Sequence, residues 1–121
     1  MKNEFVPYEI ALAMKELGFD ESNRWLYHDG KLVHTYNFKP RNHNAIPGTI
    51  EVTAPLYQQA FRWFREEFEI DVCIIPKFGD NGYGAECFKN GSLLPIELLD
   101  KYSYQEAQDT CLRKLIEIVK D

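Results

Sequence analysis

Thr53-Ala-Pro-Leu-Tyr57-Gln-Gln-Ala-Phe61-Arg-Trp-Phe64 is the stretch on which the fold turns. Thr53 is a good helix N-cap, Pro55 suits a first turn, and Tyr57, Ala60, Phe61, Phe64 and Phe68 recur at helical spacing. A central core helix is expected over about 54–68, with Arg62, Arg65, Glu66 and Glu67 on its solvated side. Burying its four aromatic rings would contribute about 1.5–3 kcal/mol each before entropy is counted.

Two further helices flank it. Pro7, then Ile10, Met14 and Leu17, predict a helix over 7–17 that stops at Gly18, with Phe19 folding back on the last turn. Ser103 and Glu106 form a capping box, with Tyr102 placed to staple onto Ala107. Ala107, Cys111, Leu112, Leu115, Ile116 and Val119 then give a helix over 104–119 a broad apolar stripe.

Between the helices lie strand signals. Asp29-Gly30 separates two β-prone runs, Trp25–His28 and Lys31–Tyr36, and both turn residues tolerate positive φ. Strands are expected near 24–28 and 31–37, with Tyr27 facing Leu32, Trp25 facing His34 and Tyr36 further along that aromatic side. Val72–Phe78, Tyr83–Lys89 and Ser92–Ile96 predict a meander turning at 79–82 and at Asn90-Gly91. Pro76 demands an edge or a bulge, and Pro95 keeps the last strand short. The expected class is α+β in the order α-β-β-α-β-β-(β)-α, a single domain over 1–121 with antiparallel hairpins packed against two or three helices. Each half carries a proline-led helix and a hairpin turning at Asp-Gly or Asn-Gly; helix-hairpin convergence accounts for this better than internal duplication.

Composition narrows the function. Of 121 residues, 45% are apolar and 27% charged, enough for a folded core and too apolar for disorder. The net charge of −5 argues against non-specific nucleic-acid binding, which needs cations that displace counterions from phosphates. No apolar run approaches the ~20 residues that span a bilayer, and the opening Met1–Pro7 has no signal-peptide pattern, so a cytoplasmic protein without a membrane role is expected. Cys73, Cys87 and Cys111 are widely spaced and odd in number, which suggests buried free thiols without a disulfide framework or zinc site.

Catalytic chemistry has no constellation to stand on. His28, His34 and His43 are dispersed, with His28 and His34 on opposite hairpin faces, so no metal site is expected. Gly79-Asp-Asn-Gly82-Tyr-Gly84 lacks the order and context of a phosphate loop. No cofactor and no catalytic residue is assigned. The best candidate surface is the aromatic side of the first hairpin with the adjoining 38–49 loop: Trp25, Tyr27, His34, Tyr36, Lys39, Arg41 and His43. Rings beside cations stack bases and hold phosphates, or anchor a protein interface; the competing reading is that a helix covers these rings as core.

Residues 54–70 and 102–120, and more loosely Phe5–Phe19, resemble a group of short proteins from bacteroidete genomes and their phages that has no assigned activity. About half the chain is covered, the hairpins and the 38–49 loop departing freely. The resemblance implies a genomic setting and no site residues. The function expected is a non-enzymatic accessory binding protein acting on a host protein. The alternatives are capture of a small nucleotide-like anion, and a small enzyme. The strand edge beside Pro76 also allows symmetric pairing into a homodimer.

Overall fold

A computed structural model describes residues 4–35, 40, 42–45, 51–77, 82–94 and 103–120. Among these residues it is α+β, with three α-helices and two three-stranded antiparallel sheets in the expected order plus one further strand. The chain divides into two compact units, Met1–Tyr57 and Gln58–Asp121, and each is described by itself.

In the first unit, α1 spans Tyr8–Glu16 and buries Ile10, Ala11 and Met14. Gly18 adopts φ +100°. Its N–H donates to the Lys15 carbonyl at 3.1 Å while the Phe19 N–H reaches back to Met14 at 3.0 Å, which completes a Schellman cap. Phe19 is buried beyond the cap, as its position after the glycine predicts. The hairpin follows as β1 (Trp25–His28) and β2 (Lys31–His34), with Asp29 at φ 52° and Gly30 at φ 78° in the two turn positions. Its register pairs Trp25 with His34 and Tyr27 with Leu32, as the two-residue turn requires.

The strand that the sequence conceals is β3, Glu51–Thr53, which pairs with the free edge of β1. The sheet order is therefore β2-β1-β3, and β1 is its centre. Both faces of β1 are occupied, so the successive residues Leu26 and Tyr27 are both buried. Thr53 is consequently a strand residue and not a helix cap: its hydroxyl accepts the His43 backbone N–H at 3.0 Å. The ladder continues past it through the Ala54 N–H, which donates to the Trp25 carbonyl at 3.1 Å. With Leu56 still bridged to Phe5, α2 begins at Tyr57 rather than at 54 and runs to Phe68.

In the second unit, α2 buries Ala60, Trp63 and Phe64, while Arg62, Arg65, Glu66 and Glu67 are exposed as expected. Trp63 takes the buried place that the pattern assigned to Phe61, which is half-buried. The helix ends at Glu69 in the left-handed region, φ 59°, with no glycine to mark it. One residue later β4 (Ile70–Lys77) starts, and it pairs rung by rung with β5 (Gly82–Lys89) without a bulge. Asn90 and Gly91, at φ 52° and 82°, turn the chain into the two-residue β6, Ser92–Leu93. The strand order β4-β5-β6 is a simple meander. Its wiring differs from the β2-β1-β3 sheet, although the Asp-Gly and Asn-Gly turns share their geometry.

The register also explains Pro76. The Leu94 N–H donates to the Cys87 carbonyl at 2.7 Å, so Cys87 directs its backbone groups away from β4. Its rung with Val72 is then a non-hydrogen-bonded pair, and alternation gives Pro76 opposite Tyr83 the same status. The proline nitrogen faces the outer edge of β4, where its missing N–H costs the ladder nothing. The same alternation corrects the expectation of three buried thiols. Cys73 shares a face with Asp71 and is exposed, while Cys87 and Cys111 are fully buried.

The last helix, α3 (Tyr104–Lys120), packs on β4 and β5 and buries Ala107, Gln108, Cys111, Leu112, Leu115 and Ile116. Its capping box is formed in both directions. The Glu106 N–H donates to Ser103 Oγ at 3.1 Å, and the Ser103 N–H donates to Glu106 Oε1 at 3.0 Å. The Ser103 backbone N–H and then its side chain hold the Glu106 carboxyl below its usual range. A lowered folded-state value stabilises above the ordinary glutamate pKa, about 4.3, and that contribution is lost as pH falls through the folded value. Amide protection in the first turn of α3, measured relative to intrinsic exchange at each pH, is therefore expected to fall as pH drops below the ordinary glutamate range. The Glu106→Gln variant, which keeps the hydrogen bond without the charge, shows no such acid step. The proposed Tyr102 staple and Pro95 lie outside the described residues, as do 79–81 of the expected 79–82 turn, while Gly82 is the first residue of β5.

Candidate binding site

Of the seven sequence-proposed site residues, Trp25, Tyr27, His34 and His43 are described, and Tyr36, Lys39 and Arg41 lie outside the described residues. The four described residues all belong to the first unit and divide into two pairs with different roles.

Trp25 and His34 form the accessible pair. Their rung in the β1–β2 ladder stacks the rings at a 4.7 Å centroid separation, tilted by 60°. Among the described residues the indole also meets the ring of Phe5, at 5.0 Å between centroids, which is itself buried. Trp25 and His34 are each half-buried, so part of the indole meets solvent while Phe5 and His34 contact the rest. Trp25 also has its backbone fixed, because Asn23 Oδ1 accepts the Arg24 N–H at 2.7 Å and lies 3.4 Å from the Trp25 nitrogen. On the other face of the hairpin Val33 is exposed.

Tyr27 and His43 are interior residues. The Tyr27 hydroxyl donates to the Val6 carbonyl, and its ring meets Tyr8 edge-on at 5.5 Å. His43 is 0% exposed and opens a 3-10 turn, His43–Ala45. Its Nε2 lies 3.0 Å from the Asn23 carbonyl, an oxygen that can only accept, so the proton resides on Nε2. Its Nδ1 is 4.0 Å from Glu51 Oε2, and the other Glu51 oxygen is 3.9 Å from Nδ1 of the exposed His28. Lys15 Nζ donates to the Glu51 backbone carbonyl at 3.0 Å.

An imidazole beside a carboxylate is half of a general-base assembly. Here the ring is wholly enclosed and its protonated nitrogen is committed to a backbone carbonyl, so the arrangement orders the 42–45 segment and presents no base to a substrate. Among the described residues, no group of three His, Cys, Asp or Glu side chains could hold a metal ion, and no helix is long and apolar enough to cross a membrane.

Two asparagines missing from the sequence-based site hold it together. Asn23 Nδ2 donates to the Ala54 carbonyl at 2.8 Å, tying the entry of β1 to the exit of β3. Asn44 accepts the Thr53 N–H at 2.9 Å and donates to the Phe19 carbonyl at 3.1 Å, joining the 3-10 turn to β3 and to the cap of α1. These three bonds span 9 to 31 residues of the chain, which no local spacing encodes. No protein-family model, curated protein or solved structure matches this chain.

Proposed function

We propose that this is a non-enzymatic binding protein that associates with a protein partner through the Trp25–His34 side of its first hairpin. The observation that carries the reading is the half-buried indole held between buried Phe5 and His34. A tryptophan so placed offers a large contact area whose conformational freedom is already spent, which is the character of an interface anchor. The interior placement of Tyr27 and the enclosure of His43 leave the ring pair as the accessible part of the described site. A cytoplasmic accessory factor of a phage or integrated element, acting on a host protein, is the setting that the resemblance suggests.

The test is affinity capture from host lysate with wild-type protein, Trp25→Ala, and the Lys39/Arg41 double-alanine variant, each checked for folding by circular dichroism. Trp25→Ala is expected to weaken the captured protein's binding about 30-fold, the loss of a hot-spot anchor worth ~2 kcal/mol. The double variant mainly slows association. Capture of a nucleotide-like anion that the double variant abolishes, with no protein dependent on Trp25, would overturn the reading in favour of ligand binding.

A further inference from the structure

Cys87 on β5 and Cys111 on α3 are 24 residues apart, yet their sulfurs lie 3.4 Å from each other, both fully buried and both free thiols. Cys73 belongs to a different surface: it is exposed and stands opposite Glu86, whereas Cys87 stands opposite Val72. The two buried sulfurs are therefore each other's nearest redox partner. A disulfide requires about 2.05 Å, an approach of roughly 1.4 Å from the observed separation.

We infer that Cys87 and Cys111 form a dithiol which a hydroperoxide converts to an intramolecular disulfide, stapling α3 to β5. The inference is independent of the binding role proposed for the first unit. Either sulfur can donate to the other. With Cys111 as the donor, its S–H draws the ionisation of Cys87 down against the opposing effect of burial, and Cys111 is pushed up by that hydrogen bond and by burial. In that arrangement Cys87 is the attacking thiolate. Its sulfur bonds to one peroxide oxygen, the O–O bond breaks, and the departing hydroxide takes a proton to leave as water. Cys111 then attacks the resulting sulfenic acid: the S–S bond forms, the S–O bond breaks, and the leaving hydroxide takes the Cys111 proton. Two thiols and one hydroperoxide give one disulfide and two molecules of water when the oxidant is hydrogen peroxide, with two electrons passing from sulfur to oxygen.

The bond would close a loop of 24 residues that holds β6 and the capping box of α3. Constraining a loop of that size in the unfolded chain raises the melting temperature by roughly 10 °C.

The experiment uses the full chain carrying Cys73→Ser, which removes the exposed thiol and leaves the core untouched. After hydrogen peroxide treatment of the folded protein, the intact mass is expected to fall by two hydrogens. Digestion should yield one linked peptide pair containing Cys87 and Cys111, and the higher melting temperature should revert with a thiol reductant. If both cysteines remain alkylatable after unfolding, or if either stops at the sulfinic acid with the other still a thiol, the proposal is overturned. The Cys111→Ser variant adds a second readout: without its resolving partner, Cys87 should be trapped as a sulfenic acid by a dimedone-type probe. No trapping in that variant, with no disulfide in its parent, counts against the assignment.

Discussion

Replacing Phe64 by alanine is expected to lower the free energy of unfolding by about 3–5 kcal/mol. The ring is 0% exposed on α2, lies 5.2 Å from Trp63 and 5.7 Å from Phe68 between centroids, and its removal empties a volume that close-packed neighbours fill only in part. The cost thus combines lost transfer energy with a cavity. Phe61 supplies the control, because it lies on the same helix and carries the same chemistry but is only half-buried. Phe61→Ala is expected to cost much less, and urea denaturation followed by far-ultraviolet circular dichroism orders the two variants. A larger loss at Phe61 would mean that α2 is rotated from the position described.

The second large effect belongs to a polar residue. Asn44→Ala removes an acceptor from the Thr53 N–H and a donor from the Phe19 carbonyl in one step. A hydrogen bond contributes about 0.5–1.5 kcal/mol net, so the loss of both is expected to cost about 1–3 kcal/mol. Asn44→Asp separates the two bonds: the Thr53 contact is retained, while the Phe19 carbonyl meets a carboxylate instead of a donor. If the carboxamide acts through both ends, Asn44→Asp is also destabilising, and the amide of Thr53 exchanges faster only in Asn44→Ala. Equal exchange at Thr53 in both variants would contradict this bridging role.

Helical spacing marks Phe64 in the sequence, whereas nothing local marks Asn44. Gly18 with Phe19, Asp29-Gly30, Asn90-Gly91 and Ser103 with Glu106 are local devices, each needing a residue type at a fixed offset, and all four appear as read. The face of α3 follows from periodicity in the same way. The strand Glu51–Thr53 is too short to show a period, and Thr53 was open to reading as a cap because the same hydroxyl serves a distant N–H. Glu69 ends a helix in a conformation that glycine usually signals. Within the candidate site, the Trp25–His34 rung followed from the turn, but the enclosure of His43 depends on Asn23, Thr53 and Glu51, which only the folded chain brings near it. Cys87 and Cys111 meet for the same reason: strand and helix are joined by packing, not by spacing.

The proposed meeting of the Trp25 surface with a protein is tested by placing a photoreactive phenylalanine analogue at position 25 in the intact protein and irradiating it in host lysate, with the same analogue at exposed Glu66 on α2 as the control. The prediction is a dominant protein adduct from position 25 that is absent from position 66 and is competed away by unlabelled wild-type protein but not by Trp25→Ala. Equal adducts from both positions, or competition by Trp25→Ala as strong as by wild type, would contradict it.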